Sequence, residues 1–129
     1  MRTLECLDAP GLPKPAGHYS HAVVNAGIAY LAGQLPHVPG EPGRKPGTIE
    51  EQTRQVLSNI DQVLAACGSR RDRVLRCTVY VSDISHWPAV NKVYAEFFGE
   101  HRPARAVVPV RELHHGYAIE VEVTAVVDE

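Results

Sequence analysis

The stretch TIEEQTRQVLSNIDQVLAACG, residues 48–68, contains the clearest helix pattern in the chain and decides its layered architecture. Thr48 and Glu51 form a capping box, in which each side chain satisfies a backbone N–H of the other residue. Gly68 stands where a glycine commonly ends a helix. Between them, apolar and small side chains recur at helical spacing: Ile49, Thr53, Val56, Leu57, Ile60, Val63, Leu64 and Cys67. This one-sided helix must pack on another layer.

On the N-terminal side of this helix, two short β-prone runs at residues 22–24 and 28–32 flank Asn25-Ala26-Gly27, a pattern that predicts a hairpin. The Pro/Gly-rich tracts at residues 9–17 and 36–47 are interpreted as loops between elements.

On the C-terminal side, the Val-, Thr- and Tyr-rich residues 74–81 predict a strand. A second helix should follow, with Ser85 as its N-cap, Pro88 in its first turn and Gly99 at its end. Residues 104–110 and 117–127 predict two last strands.

The order hairpin, helix, strand, helix, strand, strand predicts an α+β fold with a single mixed sheet. Two helices can cover only one face of such a sheet. In the last strand Ile119, Val121 and Val123 alternate with polar residues, whereas Val107 and Val108 are apolar in succession. We therefore expect the second face of the sheet to be covered by self-association.

Composition bounds the function classes. The 129 residues fit one domain spanning 1–129, with 44% apolar and 22% charged residues and a formal charge of −2. Without a run of Lys or Arg, we expect no nucleic-acid partner. Without an apolar run long enough to span a bilayer or a signal-like N-terminus, we expect no membrane association and a cytoplasmic location. The three cysteines lack the spacing of a disulfide framework or a zinc site.

Arg105 is the first candidate for chemistry, because it enters an apolar strand within RPARAVV, residues 102–108. A guanidinium cannot lose its charge there and needs a carboxylate partner. That partner is either an acid of the protein or the carboxylate of a ligand, which the planar fork can bind through two hydrogen bonds. The local sequence leaves both readings open.

Glu120 and Glu122 share one face of the last strand, and either could act as a general acid or base if burial raises its pKa. Alternating charge on a strand is also typical of a solvated face. Tyr19, after a Pro/Gly loop, could supply a ring and a hydroxyl to a small ligand, and Asn91 could donate a hydrogen bond. Both could equally serve loop packing or solvation.

Seven histidines invite a metal interpretation, especially His18 with His21 and His114 with His115. None has HExxH spacing, and no neighbouring Cys or Asp completes a tetrahedral set. We expect no metal and no cofactor. Phosphate-binding glycine loops and a GxSxG nucleophile motif are also missing from the sequence.

Five segments, in order along nearly the whole chain, together resemble the Rid (reactive intermediate deaminase, YjgF-like) family. They match its patterns G-P-Y-S-x-A, S-G-Q-I-P, Q-T-R-Q-x-x-x-N, V-N-x-x-Y-x-x-F-F with P-A-R, and I-E-x-E. The segments are GHYSHAV (17–23), AGQLP (32–36), EQTRQ (51–55) with Asn59, VNKVYAEFF (90–98) with RPAR (102–105), and IEVE (119–122).

This resemblance implies a chorismate mutase-like homotrimer with clefts between subunits, and hydrolytic deamination of 2-enamino or 2-imino acids such as 2-aminoacrylate. It implies that Arg105 binds the substrate carboxylate and Glu120 handles water and protons, while Tyr19, Gly33 and Asn91 line or support the cleft. The sequence departs from the family pattern at His18, at His21, at Ala32 and at residues 113–115.

These departures leave the Arg/Glu pair intact but leave the substrate open. The alternatives are a pathway-specific enzyme that acts on another enamine or electrophile, and a non-catalytic module that binds small carboxylates. Ribonuclease activity, which is attached to some relatives by name, is disfavoured by the slightly acidic balance of the chain.

Overall fold

The computed structural model describes residues 4–127, which contain six strands and two α-helices. In chain order these are β1 (Glu5–Leu7), β2 (Ala22–Asn25), β3 (Ile28–Gln34), α1 (Ile49–Ala66), β4 (Val74–Val81), α2 (Trp87–Phe98), β5 (Ala104–Pro109) and β6 (Ile119–Val126). Short 3-10 turns lie at Arg71–Arg73, Ile84–His86 and His114–Gly116.

The strands form one mixed sheet with the order β1-β2-β3-β6-β4-β5. Only β4 and β5 pair in parallel within the described residues, and α2 supplies the crossover that a parallel pair requires. The other neighbours are antiparallel, including the predicted β2–β3 hairpin. The expected α+β fold, with a single mixed sheet and two helices, is confirmed.

Helix α1 begins and ends as its sequence predicts. Thr48 Oγ1 accepts a hydrogen bond from the Glu51 N–H at 3.1 Å, and Glu51 Oε1 accepts one from the Thr48 N–H at 3.2 Å. Gly68 follows the last turn with φ +76°, which a residue with a side chain rarely adopts. The inner face of α1 buries Val56, Ile60 and other side chains against the sheet.

The predicted start of the second helix was wrong. Asp83, not Ser85, provides the cap, because its side chain accepts a hydrogen bond from the Ser85 N–H at 2.8 Å. This cap opens a 3-10 turn, and α2 follows it from Trp87 with Pro88 in its first turn. Gly99 ends α2 as expected. Strand β1 was not predicted; its three residues carry too little pattern, and its pairing with β2 defines it.

Strand β6 separates the two faces of the sheet. Ile119, Val121 and Val123 are buried on the helix-covered face, whereas Glu120 and Glu122 alternate with them on the other face and are half-buried. That second face also carries aromatic and hydroxyl-bearing side chains, so it is more mixed in character than an aliphatic surface. None of the helices within residues 4–127 combines the length and apolarity needed to cross a membrane.

Candidate functional site

Arg105 lies on edge strand β5, opposite Cys77 of β4, and its guanidinium is held from the helix side. Its Nη1 donates a hydrogen bond to Asn91 Oδ1 at 3.2 Å. The guanidinium carbon lies 4.5 Å from the centre of the Trp87 ring and 4.7 Å from that of Tyr94. Cation–π contacts of this geometry stabilise a cation that is partly removed from water. Three side chains of α2 therefore fix the position of Arg105.

Within residues 4–127, no carboxylate lies within ion-pairing distance of Arg105. Asn91 uses only one of the five N–H groups of the guanidinium. The sequence left open whether Arg105 pairs with an acid of the protein or with the carboxylate of a ligand. The described residues supply no such acid.

Glu120 lies on the open face of β6 beside Gly33 of β3. A β-carbon at Gly33 would lie 3.1 Å from Glu120 Cδ and would clash with Oε2. The contact occurs where the β3–β6 register shifts between Leu31 and Gln34. Burial raises the pKa of Glu120; the nearby His114 opposes that rise and the Glu122 carboxylate adds to it. A raised pKa suits a group that exchanges protons near neutrality.

Glu122, the other carboxylate on this face, is already engaged. The Tyr80 hydroxyl donates a hydrogen bond to Glu122 Oε1 at 2.8 Å. No hydrogen bond reaches the Glu120 carboxylate from the described part of the chain. The two acids that looked equivalent in the sequence therefore differ, and Glu120 is the one free to contact a ligand.

Tyr19 and Gly33 line the same cavity of about 120 Å³. Tyr19 is 52% exposed and therefore available to a ligand. His21 also reaches this cavity but has a structural role, since its Nδ1 accepts a hydrogen bond from the Ala9 N–H at 2.9 Å. The Asp8 carboxylate in turn accepts from the His21 N–H at 3.1 Å. These hydrogen bonds join the residues that follow β1 to the residue that precedes β2.

Two buried amides of α1 support the site, and sequence reading missed their contacts. Asn59 Nδ2 donates to the backbone oxygens of Leu35 and His37, at 3.0 and 2.8 Å. Gln52 Oε1 accepts from the Ala118 N–H at 2.8 Å, two residues before Glu120. Both belong to the matched segment that includes EQTRQ and Asn59. A polar residue on the apolar side of a helix was the signal that could have revealed them.

The described histidines do not form a metal site: residues 4–127 contain no group of three or more His, Cys, Asp or Glu side chains placed to hold an ion. His18, His114 and His115 are exposed, whereas His21 is buried.

The five candidate residues fall into two groups on opposite faces of the sheet. Arg105 and Asn91 lie on the helix-covered face, at edge strand β5. Glu120 lies on the open face of β6 against Gly33 of β3, and Gly33 also lines the cavity that contains Tyr19. Strand β4 separates β6 from β5, so their backbones are about 10 Å apart at ordinary strand spacing. One chain does not bring Arg105 and Glu120 around a single small ligand.

An α+β domain with one mixed sheet, in which an edge-strand arginine has no carboxylate partner among residues 4–127, is similar to known proteins. Residues 10–127 match the family model described as Endoribonuclease L-PSP. A RutC family protein of Pyrococcus horikoshii is 40% identical over 94% of this chain and 96% of its own length. The 2-iminobutanoate/2-iminopropanoate deaminase of Capra hircus is 38% identical over 88% of this chain and 83% of its own.

Solved structures agree with these sequence matches. The Rid-family protein YyfA of Yersinia pestis has a TM-score of 0.89 and 37% identity, covering 97% of this chain and 100% of that one. The chain therefore belongs to the Endoribonuclease L-PSP family, which includes the Rid/YjgF proteins, and the resemblance seen in its sequence is confirmed.

Proposed function

We propose that this protein hydrolyses reactive 2-imino and 2-enamino acids, such as 2-aminoacrylate, to 2-keto acids and ammonia. The observation that carries the proposal is the Arg105 guanidinium, which α2 fixes in place without a carboxylate partner in the described chain. The goat relative named as a 2-iminobutanoate/2-iminopropanoate deaminase supports the same chemistry.

The substrate carboxylate would bind the free N–H groups of Arg105, because a planar guanidinium and a carboxylate match in geometry and charge. Asn91 keeps the guanidinium oriented from one side. Tyr19 would cover the ligand with its exposed ring. Holding the reactant in this way removes much of the entropic barrier to attack by water.

Glu120 would carry the protons. An enamine first takes a proton at its β-carbon to give the imine. Water then adds through oxygen to the imine carbon, Glu120 accepts a proton from that water, and the nitrogen gains a proton. In the resulting carbinolamine the amine nitrogen takes up the proton held by Glu120, the hydroxyl group gives its own proton to the carboxylate as the carbonyl forms, the carbon–nitrogen bond breaks, ammonia leaves, and the 2-keto acid remains. Each step needs only a positioned acid or base.

We further propose a homotrimer in which the Arg105 group of one subunit faces the Glu120 group of its neighbour. The support is the separation of the two groups onto opposite faces of the sheet. The uncovered face, where Tyr30 is 53% exposed, offers a surface for such association. Light scattering at micromolar concentration should give three times the chain mass; a stable monomer would contradict the shared site.

The direct test is a screen of freshly generated 2-imino acids for accelerated ammonia release, with and without EDTA. We expect acceleration in both conditions. Arg105→Ala should remove binding of the carboxylate, and Arg105→Lys should restore little, because lysine lacks the planar fork. RNA cleavage is measured in parallel, because the matching family is described as Endoribonuclease L-PSP. No acceleration with any imine would overturn the proposal.

The result also separates the alternatives. Turnover of a single unusual enamine would indicate a pathway-specific enzyme on this scaffold. Carboxylate binding that depends on Arg105, without any turnover, would indicate a binding module.

A further inference from the structure

A larger cavity, which the proposed reaction does not use, lies between the loop at residues 36–46 and the 3-10 turn His114–Gly116. Its volume is about 730 Å³, within the range of small-molecule sites. Rings make up much of its wall: Pro13, His37, Pro42, Pro46, His115 and Tyr117. Such a lining favours an apolar, flat occupant.

Three of these rings form one aromatic cluster. The His37 and Tyr117 ring centres lie 5.5 Å apart with their planes at 89°, and those of His37 and His115 lie 5.9 Å apart at 62°. His115 and Tyr117 are 6.1 Å apart. Edge-to-face packing of this kind is the arrangement aromatic side chains prefer, and it can be extended by one more ring.

The backbone holds this cluster in place. His115 has φ +62°, a left-handed conformation uncommon for a residue with a side chain. His37 is anchored by the Asn59 amide, which binds its backbone oxygen at 2.8 Å. Burial and the neighbouring His115 lower the pKa of His37, which favours the uncharged imidazole. An uncharged ring suits an apolar neighbour.

The large cavity shares lining residues with the smaller cavity next to Gly33. Pro13 and His37 line it on one side, and the same two residues line the smaller cavity that contains Tyr19 and Gly33. Gly33 in turn contacts Glu120. A substrate whose reacting carbon lies near Glu120 could therefore extend its side chain past His37.

We infer that this cavity binds the substrate side chain and that the preferred substrates are imines of aromatic amino acids. The inference rests on the proposed function. An acidic side chain fits less well, because the Arg44 guanidinium at the cavity is already paired with Glu41 at 3.1 Å, which leaves only the exposed Lys45. A methyl or ethyl side chain would leave most of the cavity empty.

The test compares kcat/KM for the imines of phenylalanine, alanine and glutamate in the wild type and three variants. His115→Asn removes one ring and keeps a residue that tolerates the left-handed backbone. Val38→Trp fills the cavity from its lining. His114→Asn is the matched control, since His114 does not line the cavity but lies near Glu120. Thermal unfolding verifies that each variant is folded.

We expect the wild type to favour the phenylalanine imine, and His115→Asn and Val38→Trp to lower its kcat/KM about tenfold while the alanine imine changes by less than about twofold. His114→Asn should affect both imines alike. Equal losses on both substrates in the two cavity variants, or a wild-type preference for alanine or glutamate imines, would overturn the inference. If Val38→Trp does not fold, His115→Asn decides.

A binding measurement separates this inference from the proposed function. Calorimetry with phenylpyruvate and pyruvate needs no turnover. Tighter binding of phenylpyruvate that weakens in His115→Asn supports the aromatic subsite even if no imine is hydrolysed, and equal binding of the two acids overturns it.

Discussion

The carboxylate of Glu120 on β6 rests against the α-carbon of Gly33 on β3, in the space a side chain would otherwise occupy. The contact lies where the β3–β6 register shifts, between Leu31 and Gln34. The requirement for glycine at position 33 is therefore one of space for the carboxylate.

Gly33→Ala should displace Glu120 and lower kcat by about 10²-fold, the cost of misplacing a reacting group by roughly 1 Å. The matched control is Gly11→Ala, where the new β-carbon would meet only the flexible end of Gln62, 2.9 Å away. Steady-state ammonia release on both variants makes the comparison. Wild-type kcat in Gly33→Ala would show that the position of Glu120 does not matter.

Glu120→Gln should keep carboxylate binding and lose about 10²–10⁴-fold in turnover, because an amide cannot accept a proton at neutral pH. Glu122→Gln should retain most activity, since Glu122 is engaged by Tyr80. Single-turnover measurements on the two variants provide the matched pair. If only Glu122→Gln loses turnover, the proton-transfer role belongs to Glu122 and not to Glu120.

This pair also shows where sequence reasoning ended. Period-two alternation placed both glutamates on one face, but only the hydroxyl of Tyr80, from another strand, distinguishes them. Helix α1 was predictable because its cap and its apolar face are local. The contacts of Arg105 with the rings of Trp87 and Tyr94 were not predictable, because in the sequence these two residues indicate only the apolar face of a helix.

The pH dependence should reflect the environment of Glu120. Because burial raises its pKa, the activity should fall in acid with a midpoint above that of an ordinary carboxyl group. His114→Asn removes the group that opposes the rise, so the midpoint should move higher still. His115→Asn, which lacks this effect on Glu120, is the control. A pH–rate profile unchanged by His114→Asn would remove His114 from the account.

The thermal stability of the fold should also depend on pH, because the pKa of Glu120 is raised by folding. A carboxyl whose pKa is raised by folding binds its proton more tightly in the native state, so ionised Glu120 destabilises the fold once the pH exceeds its unfolded value. That cost disappears as the pH falls through the range between the two pKa values. Glu120→Gln should therefore raise Tm at neutral pH and not in acid, as calorimetry at two pH values can check.

Asn59→Leu should destabilise the fold by about 1–3 kcal/mol, because the backbone oxygens of Leu35 and His37 would lose their buried donor. Chemical unfolding measures this cost. Gln55→Leu, which removes only the hydrogen bond from Gln55 to Asn59, is a milder comparison. An unchanged free energy of unfolding in Asn59→Leu would mean that water replaces the amide.

Subunit mixing tests most directly whether the site is shared. Arg105→Ala and Glu120→Gln should each be inactive alone, because each removes one half of every site. If the halves come from neighbouring subunits, unfolding and refolding the two variants together creates boundaries where an intact Arg105 meets an intact Glu120. Random assembly of equal amounts into closed trimers restores about a quarter of the boundaries, and so about a quarter of wild-type activity. If both halves belonged to one chain, no mixture could regain activity, since every chain would remain defective. Refolding each variant alone controls for contaminating wild type. If the mixture is no more active than the two separately refolded variants added together, a site between subunits is ruled out.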